Sequence, residues 1–592
     1  MEVFNRLSRW NSSSGKSVSK KFLRFSLVGI SNTAIDWLIF FVLINVSPFF
    51  AGREVLAKAA SFAVAVVNSF ILNSRWTFKD EVVKGKEDGI GFFAYSRVGK
   101  FFITALVGLG INSLTFSFVR TVSSPLPNLY SQILSLALAT GASLVWNFVV
   151  NLVWTYRVRE KKKTSKANKI AEVVVFLALF MAVFSALNDS VTSDEVPHIA
   201  AGYSYVDSGK MLFNLEHPPL GKYIAALPLT ALSLDPPALE DTAKVMEEKD
   251  GPFWLLQWKQ GFGLIFDQGV GHELVVFLAR LPMVLVFGLA SWFVYLLGRD
   301  MFGSRAGLVS LLLFSFSPSF LAHGRLVTTD VGVTFGFVAT LYFLYRYIKE
   351  ERKTDLLLTG IFLGLANLFK FSALILYPVL GLILFLKFFD LTRFWDSVVK
   401  VVKSCLPVFF VGLFTTLLGY YLLFPNDVCC PNPGEDIFVG DYHSGLEKIA
   451  FLDDLPGGRP ILNYLGGIDS VINRVRPGNT PFIFGEVSES SWWYFFPVSF
   501  FLKEPIPTVL GFFVALWFSV WGFLRSPNLR FKLIFLAVPF GLYFLSAVSS
   551  RFNLGIRHIL PALPFLYVLI GASVSNLWDR VSWVPRAVGF AA

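Results

Sequence analysis

Apolar runs of membrane-spanning length recur along the 592-residue chain, and polar segments separate them. A helix of about 20 apolar residues is long enough to cross the hydrocarbon core of a bilayer. Four such runs lie near 22–46, 55–73, 99–120 and 130–153, and about ten more follow. The pattern predicts an all-α polytopic membrane protein with about 14 transmembrane helices. A β-barrel would show alternating segments of about ten residues instead.

The second and fourth runs end on the same motif. Residues Asn73–Phe78 read NSRWTF and residues Asn151–Tyr156 read NLVWTY, which places Trp76 and Trp154 78 positions apart. The first and third runs also match, although more weakly. Residues 20–158 are therefore predicted to be a duplicated two-helix hairpin. Two spans per copy return the chain to its starting side, which makes the repeat parallel.

Polar side chains lie inside these four predicted spans. An intramembrane carboxylate is costly and is a functional candidate for that reason, which singles out Asp36. Asn68, Asn73 and Asn151 are candidates for contacting a lipid-linked ligand. The alternative is that these asparagines only bond one helix to another.

The four spans and the Asn-x-x-Trp-Thr-Phe ending resemble the GtrA-like family, whose members are implicated in moving polyprenyl-phosphate-linked sugars across membranes. The resemblance implies a flippase-like role for residues 21–158. Residues 1–20 are basic and serine-rich, and we interpret them as a mobile cytoplasmic tail. Residues 159–169 are predicted to form a basic cytoplasmic linker near anionic headgroups.

A second membrane domain is predicted over residues 170–592. Starting from a cytoplasmic linker, alternation places the large segments 188–272 and 425–502 outside the cytoplasm and both termini inside. The basic connections then fall inside, as the positive-inside rule requires. The apolar runs of this domain are 170–187, 273–298, 305–322, 331–348, 355–370, 372–388, 401–424, 503–524, 531–548 and 557–576.

Composition agrees with a membrane protein, since 54% of the residues are hydrophobic and 16% are charged. The net charge of +11 does not predict a nucleic-acid partner, because the basic residues sit mostly in short loops that set topology. The chemistry is predicted to be extracytoplasmic, in what we expect to be a prokaryotic plasma membrane. The six histidines all fall on the predicted outer side, at His198, His217, His272, His323, His443 and His558.

The most polar segment between two spans is Asn188–Ile224, which carries the adjacent acids Asp194 and Glu195. The sequence has no nucleotide-binding motif, so the energy for synthesis outside the membrane must arrive with the substrate. A lipid-phosphate sugar supplies it, because its phosphate is a good leaving group. Such a reaction needs a carboxylate that takes the proton of the acceptor. Asp194 is the first candidate, and Glu195 is the second unless it caps a helix.

A departing phosphate also needs cations. Arg557 and His558 open a predicted span at its outer end, where a helix N-terminus favours an anion. Asp330 could instead be a helix N-cap, Lys370 could snorkel to the interface, and His217 could mark only a rigid turn before two prolines. The predicted substrate-binding residues are His217, Lys222, Asp330, Lys370, Glu486, Arg551, Arg557 and His558.

The segment DEVPHIAAGY that begins at Asp194, with EHPPLGK ending at Lys222, resembles the protein O-mannosyltransferase family and the related lipid A aminoarabinose transferase. These are GT-C membrane glycosyltransferases. Further matching segments are RLVTTD ending at Asp330, GEVS with WWY beyond it, and NLGIRH ending at His558. The resemblance implies a polyprenyl-phosphate monosaccharide donor, inversion at the anomeric carbon and a role for Asp194 at the acceptor.

The sequence therefore predicts a fusion in which the first domain helps to flip or deliver a lipid-linked sugar that the second domain transfers. The acceptor stays open as a glycan, a lipid or a protein, and membrane lipids are expected partners. No cofactor is predicted to be required, although two or three outer carboxylates could hold Mg²⁺ or Mn²⁺. The alternative function is a transporter of lipid-linked sugars without covalent chemistry.

Overall fold

Long apolar helices dominate the chain in a computed structural model of the protein. Eight described helices are long and apolar enough to cross a membrane, or up to nine if a bent pair forms one span. The predicted all-α polytopic membrane fold is confirmed, and the figure of about 14 spans stays a prediction. The structure describes residues 12–46, 54–80, 82–83, 98–105, 107–108, 112, 115, 128–151, 155–156, 166–211, 214–232, 234–236, 256–424, 451–452, 458–488 and 490–580.

The chain divides into two compact units, unit 1 with residues 1–164 and unit 2 with residues 165–592. In unit 1, helix α1 spans Ser12–Val46, α2 spans Glu54–Leu72 and α3 spans Asn128–Val150. Helix α1 begins within the segment 1–20, whose assignment as a cytoplasmic tail stays a prediction.

The two similar motifs of unit 1 adopt similar turns. Helix α2 ends in a π-helical turn over Asn73–Thr77, closed by a 2.8 Å hydrogen bond from the Phe78 N–H to the Asn73 carbonyl. In the second copy the Tyr156 N–H donates to the Asn151 carbonyl at 2.9 Å. The rings of Phe78 and Tyr156 stack with centroids 4.3 Å apart. The two motifs therefore pack against each other.

Unit 2 contains long helices and several short ones. Its first half comprises α4 (Lys166–Asn188), α5 (Glu195–Ser208), α6 (Leu220–Ala226), α7 (Leu256–Phe266), α8 (His272–Phe302), α9 (Ser304–Ser315), α10 (Pro318–Gly324), α11 (Asp330–Glu350) and α12 (Lys353–Phe369). Its second half comprises α13 (Leu376–Phe388), α14 (Phe394–Leu423), α15 (Gly458–Val475), β1 (Phe482–Ile483), β2 (Glu486–Val487), α16 (Phe495–Lys503), α17 (Ile506–Arg525), α18 (Pro527–Val548) and α19 (Leu563–Arg580).

Two features of unit 2 differ from the sequence prediction. The run predicted at 305–322 is not one straight helix, because α9 and α10 meet at an angle of 63°. Pro318 begins α10 and cannot continue the hydrogen-bond ladder of α9. The segment predicted as the outer loop 188–272 contains α5, α6 and α7, and much of α5 is buried.

The core of unit 2 forms around α11, which is buried over most of its length and packs against α8 and α12. Helix α12 packs in turn on α14, and α9 packs on α19. Glycines allow the close approach of α11 and α12, since a Cβ added at Gly336 would lie 2.5 Å from the Cβ of Ala366. The start of α11 and the end of α12 are thereby held side by side.

Candidate active site

A cavity of about 420 Å³ opens in unit 2 where several helix ends converge. The start of α5, the start of α11 and the residue that ends α12 contribute to its lining, as does the single-turn 3₁₀ helix Ile556–Ile559. Charged residues at helix ends can therefore meet although they are distant in sequence. Six of the predicted site residues line this cavity, namely Asp194, His217, Asp330, Lys370, Arg557 and His558.

Asp194 forms an ion pair with Arg557 inside the cavity. The Arg557 guanidinium donates a hydrogen bond to Oδ2 of Asp194. Both side chains keep partial exposure, at 39% for Asp194 and 25% for Arg557, so a substrate in the cavity can reach them. Burial alone would lower the pKa of Arg557, but the charges of Asp330 and Asp194 raise it above its ordinary value. Arg557 therefore interacts with both carboxylates.

Asp330 and Lys370 form a second ion pair in the same cavity. Lys370 Nζ lies 2.7 Å from Oδ1 of Asp330, and the aspartate is almost fully buried. Asp330 is the first residue of α11, and Lys370 is the residue that ends α12. The two alternatives considered from the sequence, an N-cap role for Asp330 and a snorkelling Lys370, do not describe this arrangement, because each side chain bonds to the other.

A third ion pair at this cavity joins residues outside the predicted set. The Arg474 guanidinium, near the end of α15, donates to Oε2 of Glu216. Glu216 stands directly before His217 in the polar segment, so its motif was visible in the sequence. Arg474 could not be chosen in this way, since it is one of several basic residues in a long outer segment. Only the fold of α15 brings it to Glu216.

Histidine side chains around the cavity are held neutral. Burial and the nearby charge of Lys370 lower the pKa of His558 to about 3. Burial, with His198 and Lys222 nearby, lowers the pKa of His217 well below its ordinary value. The rings of His198 and His217 meet edge to face with centroids 5.0 Å apart. Near neutral pH these rings can exchange hydrogen bonds with a substrate without adding positive charge.

Glu195, the second predicted catalytic carboxylate, does not line the cavity, and its catalytic role stays a prediction. It is fully buried and accepts hydrogen bonds from Arg280 at 2.8 and 2.6 Å and from the Val327 N–H at 3.0 Å. Burial by itself would raise the pKa of Glu195, but the hydrogen bond and the charge of Arg280 hold it below its ordinary value. A buried pair of this kind fixes the start of α5 and hence the position of Asp194.

Arg280 was missed by the sequence reasoning, although a signal was present. It lies inside the apolar run 273–298, and an arginine within a predicted span is a candidate in its own right. Besides Glu195, its guanidinium donates to the backbone carbonyls of Ala186, Asp189 and Ser190. The side chain is fully buried and ties α8 to the segment between α4 and α5.

Lys222 is also outside the cavity lining, and its predicted role in substrate binding stays a prediction. Its side chain is 1% exposed, and Nζ donates to the Tyr205 hydroxyl, to two oxygens of Asn214 and to the His217 carbonyl at 2.7–3.0 Å. Burial lowers the pKa of Lys222 well below its ordinary value. The amine has four protein acceptors and shapes the segment that carries His217.

Glu486 and Arg551 are exposed residues outside the cavity lining. Glu486 belongs to the two-stranded antiparallel hairpin of β1 and β2, where it faces Ile483. Arg551 stands beside Ser550 and Phe552, which do line the cavity, but its own side chain does not. Their role in substrate binding stays a prediction.

The predicted residues of unit 1 lie inside that unit. Ser61 Oγ donates to Oδ1 of Asp36 at 2.7 Å, which joins α1 to α2. Asn73 Nδ2 donates to Ser69 Oγ at 3.3 Å and Asn151 Nδ2 donates to the Asn147 carbonyl at 2.8 Å. Two of these asparagines thus bond within their own helices rather than across to another one. Their function stays a prediction.

Three or more metal-binding side chains do not come together anywhere in the described residues. At the cavity, Asp194 and Asp330 each face a cationic side chain rather than a second acid. The expectation that Mg²⁺ and Mn²⁺ are not required stays a prediction.

Two family models match different parts of this chain. Residues 268–417 match the family described as dolichyl-phosphate-mannose-protein mannosyltransferase, and residues 24–140 match the family described as the GtrA/DPMS transmembrane domain. The chain thus has a segment similar to each of these two families, one in unit 1 and the other in unit 2. Both resemblances drawn from the sequence motifs are confirmed.

Curated relatives match short parts of this chain. The uncharacterized membrane protein YngA of Bacillus subtilis (strain 168) is 28% identical over 141 residues, which cover 24% of this chain and 82% of that protein. A prophage bactoprenol-linked glucose translocase homolog of Escherichia coli (strain K12) is 40% identical over 60 residues, 10% of this chain and 48% of that protein. The chain thus spans about half the length of the translocase homolog that it matches.

A solved structure has a similar fold. The S. cerevisiae protein O-mannosyltransferase Pmt1–Pmt2 complex, bound to its sugar donor, aligns with a TM-score of 0.50 at 13% identity. The alignment covers 73% of this chain and 88% of that chain. At this identity the likeness concerns the fold alone.

Proposed function

We propose that this chain transfers a sugar from a polyprenyl-phosphate donor to an acceptor on the extracytoplasmic face of a membrane. The observation that carries the proposal is the cavity in which Asp194 pairs with Arg557 and Asp330 pairs with Lys370. A phosphate-linked donor needs cations, and an acceptor hydroxyl needs a base. The cavity offers both kinds of group side by side. The descriptions of the mannosyltransferase family and of the bactoprenol-linked relatives support this donor class.

Arg557 and Lys370 are the groups that we assign to the donor phosphate. A guanidinium carries five N–H donors and an ammonium carries three, so the bonds to Asp194 and Asp330 leave further donors for an anion. Hydrogen bonds between such cations and phosphate oxygens are among the strongest available to a protein. When the phosphate binds Arg557, its negative charge competes with Asp194 for the guanidinium.

Asp194 then takes the proton of the acceptor. The acceptor oxygen attacks the anomeric carbon and forms the new glycosidic bond while the bond from that carbon to the phosphate oxygen breaks. The bonding electron pair leaves with the phosphate, which Arg557 and Lys370 hold, and the acceptor proton passes to Asp194. Because the attacking and leaving oxygens lie on opposite faces of the sugar, the anomeric configuration inverts. Positioned general bases of this type contribute about 10²- to 10⁴-fold to rate.

The GtrA-like unit supplies the lipid-linked sugar in this proposal. The donor is made where nucleotide sugars are available and is used on the other side of the membrane, so it has to cross. A translocating unit on the same chain raises the effective concentration of the donor near the transferase. This assignment places both termini in the cytoplasm and the cavity of unit 2 outside, in agreement with the distribution of basic loops.

The purified full-length chain provides the direct test. Mass spectrometry of the lipid that copurifies with it should identify a polyprenyl phosphate or a polyprenyl-phosphate sugar. Incubation with radiolabelled undecaprenyl-phosphate hexoses and an envelope extract should move the label to an acceptor and release undecaprenyl phosphate. Movement of the labelled lipid across proteoliposomes without such release would favour the alternative function, a transporter without covalent chemistry.

A further inference from the structure

Eight buried side-chain polar atoms of unit 1 have no hydrogen-bond partner among the described residues, and six of the eight form three equivalent pairs; the other two belong to Asn32 and Asn147. The two members of every pair stand 78 positions apart, which is the period of the repeat. Unpaired polar atoms therefore recur at matching positions of both copies, as expected for a site that the duplication has kept. The pairs are Asn68 Nδ2 with Trp146 Nε1, Asn73 Oδ1 with Asn151 Oδ1, and Thr77 Oγ1 with Thr155 Oγ1.

Four of these side chains are almost completely buried. The exposed fraction is 1% for Asn73, 2% for Thr77, 2% for Asn151 and 4% for Thr155. A buried polar atom without a partner costs about 1–3 kcal/mol, and native proteins keep few of them. Four such atoms at one pair of turns are therefore expected to gain partners from a bound molecule.

The two turns meet at one place in unit 1. Asn73 and Asn151 each begin a π-helical turn, a geometry that is frequent at functional sites. The Ser74 and Tyr156 hydroxyls lie 2.8 Å apart, and the Phe78 ring stacks on Tyr156. The two turns that carry four of the unpaired atoms therefore lie against each other.

We propose that this pair of turns binds the monosaccharide headgroup of a polyprenyl-phosphate sugar, which rests on the function proposed above for unit 1. A sugar hydroxyl both donates and accepts hydrogen bonds, so it matches the amide oxygens, the threonine hydroxyls and the two N–H groups together. A metal ion would use only the oxygens and leave the N–H groups of Asn68 and Trp146 unpaired. Arg75 is exposed on the turn Asn73–Thr77, Lys79 is exposed just after it, and the two supply positive charge for the phosphate that carries the sugar.

Translocation by full-length protein in proteoliposomes tests this site. The probe is radiolabelled undecaprenyl-phosphate glucose, and its arrival in the opposite leaflet is measured by lectin capture. Thr77→Val combined with Thr155→Val removes both hydroxyls and keeps side-chain shape. We expect translocation to fall at least tenfold while the melting temperature of the unliganded protein is unchanged or higher. Translocation at the wild-type rate would overturn the proposal.

Two further variants separate binding from folding. Thr104→Val is the matched control, because Thr104 is also buried in unit 1 but its hydroxyl donates to the Lys100 carbonyl at 2.8 Å. It should translocate the probe normally. If the double valine variant also lowers the melting temperature, Thr77→Ser combined with Thr155→Ser distinguishes a loss of binding from a loss of stability, because serine keeps both hydroxyls. Full translocation by the serine pair supports the site, and its loss overturns it.

Binding measurements distinguish this inference from the proposed function. If wild-type protein moves no probe, the translocating role proposed for unit 1 is wrong. The sugar site is then tested by binding alone, in an Arg557→Gln variant in which the donor site of unit 2 is weakened. There the double valine variant should bind undecaprenyl-phosphate glucose at least tenfold more weakly, and bare undecaprenyl phosphate equally well. Methyl glucoside should compete weakly. Equal binding of the sugar lipid to both proteins would refute the assignment.

Discussion

Asp194 and Arg557 form an ion pair across 363 positions of sequence, within a cavity that a substrate can enter. In the function proposed here, the first is the base and the second holds the donor phosphate. Each group therefore neutralises the other until a donor arrives. A donor phosphate that binds Arg557 weakens the hydrogen bond from Arg557 to Asp194. Asp194 therefore becomes available as a base only when a donor is bound.

The first prediction concerns the base. Asp194→Asn should lower the rate of sugar transfer by about 10²- to 10⁴-fold, because an amide cannot take the acceptor proton. Donor affinity should be kept or increased, since Arg557 loses a competing carboxylate. Release of undecaprenyl phosphate measures transfer, and equilibrium binding of the donor measures affinity. Asp207→Asn, at an exposed position in helix α5, is the control and should transfer sugar at the wild-type rate. An unchanged transfer rate in Asp194→Asn would exclude Asp194 as the base.

The second prediction concerns the phosphate. Arg557→Gln should weaken donor binding by about 10- to 100-fold, because a hydrogen bond to a charged group is worth about 1.5–3 kcal/mol. Arg551→Gln should bind the donor normally, since Arg551 is exposed and lies outside the cavity lining. Bare undecaprenyl phosphate should lose affinity for Arg557→Gln by a similar factor. Equal effects of the two substitutions would argue against a specific phosphate site at Arg557.

The third prediction concerns metals. Lys370 and Arg557 supply the positive charge that a divalent ion would otherwise bring to the leaving phosphate. Transfer by purified protein should therefore persist in excess EDTA and gain little from added Mg²⁺ or Mn²⁺. Transfer that stops with EDTA and returns with one of these ions would show that the outer carboxylates hold a metal.

Most of the long helices can be predicted from the sequence, because a membrane span depends on local composition. The apolar runs were placed to within a few residues of most helices in unit 2, for example 331–348 against Asp330–Glu350. The exception at 305–322 follows from Pro318, a residue visible in the sequence whose effect on the span was not anticipated. Asp330 and Lys370 were chosen because they are charged residues at the ends of apolar runs.

The choice between neighbouring or similar residues could not be made from the sequence. Asp194 and Glu195 are adjacent acids, but α5 starts at Glu195 and turns its carboxylate into the core toward Arg280. Lys222 and Lys370 are both lysines near apolar segments. Lys222 is enclosed by four acceptor atoms, whereas Lys370 reaches the cavity, and these surroundings are set by residues distant in sequence.

The fourth prediction concerns the buried pair of Glu195 and Arg280. Glu195→Gln should lower the stability at pH 7 by about 3–5 kcal/mol, because Arg280 keeps a buried charge without its partner. The folded pKa of Glu195 lies below its ordinary value of 4.5, so the pair stabilises the fold above pH 4.5 and this contribution is lost as the pH falls through the folded value. Melting temperatures at several pH values should therefore converge for wild type and variant in acid.

The double variant Glu195→Gln with Arg280→Met is the control for that pair. It removes the uncompensated charge as well as its partner and should recover part of the lost stability. A double variant as unstable as the sum of the two single variants would mean that the two side chains act independently. Glu195→Gln should also lower the rate of sugar transfer, because Asp194 is no longer held in position. Donor affinity should not change.

The last prediction concerns acid sensitivity at the cavity. The pKa of His558 is lowered to about 3 from an ordinary value of 6.5. Between pH 6.5 and pH 3, His558 binds a proton in the unfolded chain but not in the folded protein. Its contribution to the free energy of unfolding is therefore complete above pH 6.5 and is lost as the pH falls toward 3. His558→Gln, which cannot take up that proton, should reduce the slope of stability against pH by about 1.4 kcal/mol per pH unit between these limits. An unchanged slope in His558→Gln would contradict a neutral, enclosed His558.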